Sequence, residues 1–270
     1  MHTTDIAATG STTSDTALRV ERVRHVFAAH HLQLQLREVV SPGFVRITLA
    51  GADLTGFRSD GFDDHIKFLL PQPGQDKPGL PQIVDGRPQF DGERPVARDY
   101  TPVRWDAAKG QLVLEFALHD HGPAAEWART AQIGQWAGVA GPRGSMVIPA
   151  GFAWHWLLGD DSALPAVERR LAELPATARV TVRLKVAAAD RRPLPSAAQV
   201  DLQWVDDLAE AAAALPLPSE DGYIWAAGEH NDMAALRTVF KDKGASPKRM
   251  RISAYWKRGQ ADHHEELVQE

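Results

Sequence analysis

The stretch AWHWLLGDDSALPAVERRLAELP, residues 153–175, decides the fold class of this chain. It opens with a run of large apolar side chains, AWHWLLGD, of the kind found in a buried strand. The remainder places Leu164, Val167, Leu171 and Leu174 at the spacing of one helix face. A buried strand that leads into an amphipathic helix is the unit from which parallel sheets with helical crossovers are built.

The same alternation of strand and helix continues toward the end of the chain. Strand-like runs occupy residues 178–187, 200–205, 222–228 and 250–256, and helical patterns occupy residues 206–215 and 231–244. Strands that alternate with helices indicate a parallel sheet with crossovers. We therefore predict an α/β domain over residues 151–270.

Residues 31–149 follow a different rhythm, in which short alternating strands are separated by Gly and Pro. The strand-like runs are residues 32–40, 44–51, 65–71, 98–105 and 111–118, and a helical pattern at residues 122–131 follows them. This pattern is typical of an antiparallel barrel or sandwich. We place the domain boundary at residues 149–151, with a first domain over residues 21–150 and a disordered leader over residues 1–20.

The composition excludes several classes of function. The chain has 270 residues, 44% of them hydrophobic, which is enough for two ordinary cores. Its 30 Lys and Arg against 35 Asp and Glu give a net charge of −5, so we expect no binding to nucleic acid. The absence of cysteine excludes disulfides, Cys-zinc sites, iron–sulfur clusters and thiol nucleophiles. Redox chemistry therefore needs a borrowed cofactor.

No targeting or membrane-spanning segment is recognisable in the sequence. The N-terminus, MHTTDIAATGSTTSDTA, has no positively charged residue before an apolar run, and no stretch reaches roughly 18 consecutive apolar residues. We expect a cytoplasmic monomer without membrane insertion. The adjacent histidines at residues 30–31 and 263–264 are expected at the surface, and we predict no metal site.

The stretch RDYTPVRWD, residues 98–106, alternates like one strand and places Arg98, Tyr100 and Arg104 on one side. Side chains two apart on a strand lie about 6.6 Å from each other, so Arg98 and Tyr100 can contact two parts of one elongated ligand. A guanidinium binds a diphosphate bidentately, and a Tyr ring packs on a flat heterocycle. Pro102 removes a backbone donor, which suits a strand edge. The alternative is a surface Arg beside a half-buried Tyr.

The stretch HDHGPAAEWA, residues 119–128, has the pattern of a helix start. Gly122 stands at the N-cap, Pro123 at the first helical position and Ala124 in the first turn. With small side chains there, a phosphate can approach the free backbone amides directly. The alternative is a well-formed helix start with no ligand. Neither a P-loop nor a G-x-G-x-x-G fingerprint is present in the chain.

A third candidate is the Gly-rich turn VAGPRGS, residues 139–145, which leaves a strand and presents Arg143 at a loop tip. Such a loop is often only a turn. In the terminal strand MRISAYWKRG, residues 250–259, alternation extended back to Arg249 places Arg249, Arg251, Ser253, Tyr255 and Lys257 on one face. This positive face attracts an anionic ligand, or else it is a solvated edge that discourages aggregation.

Taken in order along the chain, these motifs resemble the siderophore-interacting protein family, the FAD-dependent ferric-siderophore reductases related to ferredoxin-NADP reductases. The resemblance covers about residues 22–259. It is carried by DDHIKFLLP (63–71), RDYTPVRWD (98–106), H-x-x-GPAAEWA (119–128), AGPRGS (140–145), GDDSALPAVERRLAELP (159–175), WAAGEHNDMAALR (225–237) and AYWKRG (254–259). It implies two domains, an N-terminal antiparallel β-barrel that binds flavin and a C-terminal α/β parallel-sheet Rossmann-like domain.

The resemblance also implies roles for individual residues. Arg98 would hold the FAD pyrophosphate together with the helix start, Tyr100 and Thr101 would lie against the isoalloxazine, and the strand edge at Pro102 would face the flavin. NADH or NADPH would bind at the carboxyl end of the first parallel strand. The residues implied to bind FAD or NAD(P)H are Arg98, Asp99, Tyr100, Thr101, Arg104, His119, Gly122, Pro123, Ala124, Trp127, Ser145, Asp160, Asp161 and Ser162.

By the same likeness, Lys67, Arg143, Lys257 and Arg258 would bind an anionic ferric siderophore. Electrons would pass from NAD(P)H to FAD and then to Fe(III), so we expect no catalytic side chain. Asp161-Ser162 and residues 229–231 depart from the usual family pattern, which leaves the choice of donor open. Two alternatives remain, a general flavin or electron-transfer reductase that works with a ferredoxin, and a non-catalytic module that binds FAD or a siderophore.

Overall fold

The computed structural model describes residues 18–85, 87–118, 122–260 and 265–267, without the side chain of Asp53. Most of the predicted leader, residues 1–17, lies outside these ranges, and so does His119. Within them, no helix is long and apolar enough to cross a membrane.

The first half of the chain is an antiparallel barrel with one helix. Its elements are β1 (Glu21–Arg24), β2 (Ala29–Ser41), β3 (Phe44–Ala50), β4 (Ile66–Leu70), β5 (Gln82–Val84), β6 (Arg87–Gln89), β7 (Val96–Tyr100), β8 (Pro102–Asp106), β9 (Gln111–Ala117), α1 (Pro123–Thr130), β10 (Trp136–Ala140) and β11 (Gly144–Val147). Seven strands pair antiparallel in the order β7-β4-β10-β2-β3-β9-β8. The two edge strands, β7 and β8, follow each other in the chain, so the sheet curls until its edges meet at Thr101.

Alternate residues of these strands fill the barrel core, as the period of two requires. Leu32 and Leu34 of β2 share this core with Ala124 and Ala128 of helix α1, and Phe116 of β9 is completely buried. Two small sheets flank the barrel, one formed by β1 and β11 and one by the hairpin β5–β6. Both pairs are antiparallel.

The second half is an α/β unit. Its elements are β12 (Trp154–Asp160), α2 (Leu164–Glu173), β13 (Arg179–Lys185), β14 (Gln199–Trp204), α3 (Leu208–Ala214), β15 (Gly222–Glu229), α4 (His230–Asp242), β16 (Met250–Trp256) and β17 (Glu265–Glu266). The strand order is β14-β13-β12-β15-β16-β17, parallel throughout except for the short β17. Strand β12 is central, and the chain crosses to both of its sides. The predicted fold class, a barrel followed by a Rossmann-like parallel sheet, is confirmed.

Central strand β12 is buried along its whole length because helices cover both faces of the sheet. Leu157 packs toward α2, whereas Trp156 and Leu158 pack toward α3 and α4. The core on the α2 side also contains Phe44 and Phe62 of the first half. The two halves therefore share one continuous apolar core.

Polar contacts also cross between the halves. The buried Arg169 of α2 donates from Nη2 to the Ser59 carbonyl at 2.8 Å and from Nη1 to the Pro102 carbonyl at 3.2 Å. The structure therefore places α2 against the start of β8, at the strand edge where the resemblance implies a flavin. The stretch 98–106 is two strands rather than one, because the chain turns at Thr101 to close the barrel.

Candidate cofactor site

Arg98 and Tyr100 lie on the same face of β7, the face that meets the barrel core. Directly opposite them on β4 stand the buried residues Phe68 and Ile66. The Tyr100 ring lies 4.1 Å from the ring of Phe116 and 5.8 Å from that of Phe68, between ring centroids. Burial raises the pKa of the Tyr100 hydroxyl, and the positive charge of Arg98 lowers it by a smaller amount. The phenol therefore stays neutral. The half-buried ring is a fixed platform at the edge of the barrel.

The start of α1 has the features that bind an anion. Gly122 is its N-cap in extended backbone, Pro123 follows at the first turn, and no side chain in the described part of the chain caps the helix. A Cβ placed on Gly122 would meet no described atom within 4 Å. Further along the helix, the ring of Trp127 lies 5.1 Å from Phe68, in the aromatic cluster that also holds Tyr100.

These features fit the FAD group that the resemblance implies. Helix α1 and β7 both contribute to one cluster of aromatic side chains, so the start of α1, Arg98 and the Tyr100 ring belong to the same part of the barrel. The Arg98 guanidinium is oriented by donation from Nη1 to the Ala97 carbonyl at 2.7 Å. A guanidinium, uncapped amides and a flat ring are the groups that a diphosphate attached to a planar heterocycle requires.

The α/β unit reaches this region at the corner between β7 and β8. Thr101 is buried there and shares a hydrogen bond with Tyr255 of β16. Burial raises the pKa of Tyr255. Close by, Asp63 accepts a hydrogen bond from Trp225 Nε1 at 2.9 Å and forms an ion pair with Arg251 Nε at 2.9 Å. Sequence reasoning treated the Asp63 segment only as part of a motif and missed its role in joining the two halves.

The carboxyl end of β12 is organised around Asp160. Its Oδ1 accepts from the Ser162 amide at 2.9 Å and from the Ser162 hydroxyl at 2.5 Å. Its Oδ2 accepts from the Glu229 amide and from Trp256 Nε1, both at 2.8 Å. Burial and the nearby Asp161 carboxylate raise the pKa of Asp160 to about 6. Asp160 therefore fastens the ends of β12, β15 and β16, and its carboxylate faces internal donors.

Glu229 has a related role at the start of α4. Its Oε2 accepts from the amides of Asn231 at 2.6 Å and Asp232 at 3.3 Å, and its Oε1 accepts from the Arg258 amide at 3.3 Å. Although burial opposes it, donation from these amides lowers the pKa of Glu229. The turn that carries Lys257 and Arg258 is thus held against the sheet by Glu229 and, through Trp256, by Asp160.

Three predicted cofactor residues are not brought to the Arg98 face. Asp99 points to the other side of β7 and pairs with Lys67 Nζ at 2.9 Å. Arg104 lies beyond the corner on β8, where it is exposed and opposite Val113. The next residue, Trp105, packs against the barrel core. Alternation alone had placed Arg104 beside Arg98, and the turn at Thr101 reverses this.

Ser145 is the third of these residues, and it is buried. Its hydroxyl donates to Asp64 Oδ2 at 2.6 Å, lies 2.6 Å from His25 Nε2 and accepts from the Asp60 amide at 3.0 Å. Burial raises the pKa of Asp64, and the donated hydrogen bonds from Ser145 and Ser59 oppose this. The structure thus shows Ser145 joining the loop before β4 to strand β11.

The expected positive face of the last strand is not open to solvent. Arg251 is mostly buried in its pair with Asp63, and Ser253 is almost completely buried. Alternation identified this face correctly, but the face packs against the barrel, which sequence alone does not reveal. Lys257 and Arg258 follow the strand in an exposed turn.

Arg143 lies at the mouth of a cavity that sequence reasoning did not anticipate. The cavity has a volume of about 740 Å³, and its described lining is Arg24, His25, Val26, Phe27, Ile83 and Arg143. Lys67 and the turn with Lys257 and Arg258 are not among these residues. The signal available beforehand was the basic segment ERVRH at residues 21–25.

Comparisons with known proteins agree with this architecture. Residues 33–146 match the profile of the siderophore-interacting FAD-binding domain, and residues 152–259 match that of the siderophore-interacting protein. An NADPH-dependent ferric-chelate reductase of Escherichia coli (strain K12) is 37% identical over 246 residues, which cover 87% of this chain and 96% of that protein.

Solved structures show the same likeness. A siderophore utilization protein from T. fusca superposes with a TM-score of 0.82 at 33% identity, over 90% of this chain and 98% of that one. The ferredoxin reductase in carbazole 1,9a-dioxygenase shares the fold alone, with a TM-score of 0.61 at 14% identity over 85% of this chain and 70% of that one. The two profiles together match most of the chain, one over the barrel and one over the α/β unit. The chain therefore belongs to the siderophore-interacting protein family.

Proposed function

We propose that this chain is a ferric-siderophore reductase that binds FAD and takes electrons from NADPH. The observation that carries the proposal is the presence of Arg98, Tyr100 and the uncapped start of α1 around one aromatic cluster of the barrel. The similarity to a ferric-chelate reductase over nearly the whole chain supports the same conclusion.

In this proposal the barrel binds and orients the cofactor. Arg98 and the amides at the start of α1 hold the diphosphate, and Tyr100 supports the ring system from one side. FAD held by these residues would supply the conversion of a two-electron donor into single electrons, which is the chemistry that reduction of Fe(III) requires. The apolar cluster beneath Tyr100 excludes water from the inner side of the Tyr100 ring.

The α/β unit supplies the nicotinamide site at the carboxyl end of β12, next to the point where the sheet reverses its strand order. Asp160 fixes this end, and Asp161 and Ser162 form its rim. Gly228 is required beside it, because its φ is +154° and a Cβ there would lie 2.7 Å from Asp160 Oδ2. Asp160 is thus a positioning residue rather than a direct contact to the donor.

Iron release follows from the change in charge of the metal ion. Fe(III) is the harder cation and suits anionic oxygen ligands better than Fe(II) does, so one added electron loosens the chelate. No side chain has to act as an acid or a base in this step. The nicotinamide donor is available in the cytoplasm, where we expect the reaction.

The proposal is tested with the purified holo-protein under anaerobic conditions. NADPH should bleach the flavin absorption, a ferric chelate should restore it, and a ferrous-specific dye should record the Fe(II) formed. Protein that stays colourless after FAD is added would refute the flavin site. Bound flavin that neither NADPH nor NADH bleaches would point instead to a ferredoxin donor, or to a binding module without turnover.

A further inference from the structure

Strand β13 ends in two cations that have different partners. Lys185 is its last residue, and Arg191 follows in the connection to β14. Arg191 Nε donates to the Val186 carbonyl at 3.1 Å, which holds the guanidinium next to the end of β13. A second contact is loose, since Arg191 Nη2 lies 4.0 Å from the fully exposed Asp206. The guanidinium of Arg191 therefore stands at the carboxyl edge of the sheet and can meet an anion there.

Lys185 is paired with a carboxylate from another part of the sheet. Its Nζ donates to Asp232 Oδ2 at 2.8 Å, and Asp232 lies in the first turn of α4, directly after β15. Strands β13 and β15 lie on opposite sides of β12, and Lys185 is opposite Asp160 in the pairing of β13 with β12. The Lys185 side chain therefore reaches across the end of β12, which draws its ammonium away from β13.

Further carboxylates act on the same ammonium group. Donation to Asp232 raises the pKa of Lys185, burial opposes this rise, and the charges of Asp160 and Asp207 add to it. Both of the latter are fixed in place, Asp160 by the donors described above and Asp207 by the Glu210 amide, which donates to it at 2.9 Å. The positive charge of Lys185 is thus balanced by carboxylates of this chain.

The end of β13 is the place where NADPH and NADH would differ. In a dinucleotide-binding sheet, the group that contacts the 2′-position of the adenosine ribose stands about 20 residues beyond the first strand-to-helix turn. That spacing leads from the end of β12 to the end of β13, where Lys185 and Arg191 lie. NADPH carries a phosphate at this position and NADH a hydroxyl group. Free cations there attract the phosphate, and nearby carboxylates repel it.

The pair of Lys185 with Asp232 is accessible enough to open. The two side chains are 43% and 31% exposed, and an ion pair in such a position contributes little free energy. The Asp232 amide donates to Glu229 Oε2 at 3.3 Å, so the start of the carboxylate arm is fixed while its end can exchange partners. A phosphate could therefore compete with Asp232 for the Lys185 ammonium.

We propose that Asp232 is a specificity-determining residue, which limits the preference of this protein for NADPH over NADH by holding the Lys185 ammonium across the end of β12 and away from the 2′-phosphate. This inference rests on the proposed reductase function. Asp232 acts through Lys185 and does not itself touch the donor. The three residues before it, 229–231, belong to the segment that departs from the family pattern.

The experiment compares two ligands that differ only in the 2′-phosphate. Binding of NADP⁺ and NAD⁺, which cannot reduce the flavin, is measured by calorimetry on the purified holo-protein. Turnover is measured as KM for NADPH and for NADH, with ferric citrate as the acceptor. The test variant is Asp232→Asn, which removes the charge and nearly keeps the shape, and thermal unfolding checks its fold. The matched control is Asp242→Asn, the same change at an exposed position at the other end of α4.

Asp232→Asn should tighten binding of NADP⁺ and lower KM for NADPH by about fivefold, on the scale of an exposed ion pair. The values for NAD⁺ and NADH should change by less than about twofold, and so should all four values in Asp242→Asn. Adding Lys185→Gln to Asp232→Asn should cancel most of the gain, because the released ammonium is its source.

Three results would overturn the role of Asp232. Equal tightening of NADP⁺ and NAD⁺ would mean that Lys185 meets a phosphate that both donors share. An unchanged affinity for NADP⁺ would mean that the ion pair does not restrain Lys185. A double variant that keeps the whole gain would assign the effect to the lost negative charge alone.

This inference and the proposed function fail in different ways. If Asp232→Asn separates the two dinucleotides but the wild-type protein reduces no ferric chelate, the reductase function fails and the role of Asp232 stands. If the wild-type protein reduces ferric chelates with NADPH and Asp232→Asn does not separate the dinucleotides, the role fails and the function stands. If neither protein binds either dinucleotide, the role of Asp232 is overturned, and flavin reduction by another donor then decides the function.

Discussion

The charge cluster between the barrel and α2 gives a quantitative prediction for Glu115→Gln. The Glu115 side chain is completely buried, and its Oε2 accepts from Arg46 Nε at 3.0 Å and from Arg46 Nη2 at 2.6 Å. Its Oε1 accepts from Arg192. Glu168 of α2 completes the cluster, with bonds of 2.8 Å from Arg46 and 3.1 Å from Arg192. The cluster therefore holds two guanidinium groups between two carboxylates.

The expected loss of unfolding free energy depends on which charged groups lose a partner when a carboxylate is removed. Glutamine at 115 keeps one acceptor but turns an amide N–H toward a guanidinium, inside a site that water does not reach. Removing one member of a buried ion pair costs about 3 to 5 kcal/mol, and we expect the lower part of that range because Glu168 remains. Burial lowers the pKa of Arg46, but Glu115 and then Glu168 raise it more, so the guanidinium stays charged.

The matched control is Glu168→Gln, which removes a carboxylate from the same cluster at a side chain that is 21% exposed. Water can replace part of what is lost there, so we expect about 1 to 2 kcal/mol. Urea unfolding followed by tryptophan fluorescence measures both variants, and because the Glu115 site is buried its effect should persist in 1 M salt. A Glu115→Gln variant within about 1 kcal/mol of wild type, or no more destabilised than Glu168→Gln, would refute this reasoning.

Two further predictions concern the cofactor site and the end of β12. Arg98→Ala should weaken FAD binding by about 1.5 to 3 kcal/mol, whereas Arg104→Ala, beyond the corner, should not; equal flavin contents on gel filtration would contradict this. Because the pKa of Asp160 is raised to about 6, its ionisation opposes folding, and the free energy of unfolding should fall as pH rises from about 4 to 6. Asp160→Asn removes this contribution, so its unfolding free energy relative to wild type should change by about 2 kcal/mol between pH 4.5 and pH 7 in urea titrations; a constant difference would contradict it.

The fold was predictable because its two halves have different periods. Alternation with Gly and Pro punctuation marks the barrel, and strands followed by Leu164 and Val167 at helical spacing mark the parallel sheet. The start of α1 was predictable too, since Gly122 and Pro123 form a local signal that needs no tertiary contact. These features depend on residues that are neighbours in the chain.

The misplaced residues depend on contacts between distant parts of the chain. Alternation put Arg104 beside Arg98, but closure of the barrel turns the chain at Thr101 and moves Arg104 to another strand. Alternation also placed Arg251 and Lys257 on one face of the last strand, but alternation does not show which part of the chain packs on that face. The partner of Arg251 is Asp63, and no local pattern links residues that far apart.

Asp63 and Asp64 belong to a motif shared with the family, and both carboxylates bond to other parts of the protein. Both stand in the loop before β4, yet Asp63 bonds to Trp225 and Arg251 of the α/β unit, whereas Asp64 bonds to Ser59 and Ser145 of the barrel. Because Ser145 also contacts His25, Asp64 connects the loop before β4 to the segment between β1 and β2, and Asp63 connects the same loop to β15 and β16. A motif letter therefore need not contact a ligand. Here the two carboxylates fix the segment around His25 and the α/β unit to the loop before β4, the strand that pairs with β7 and its Tyr100.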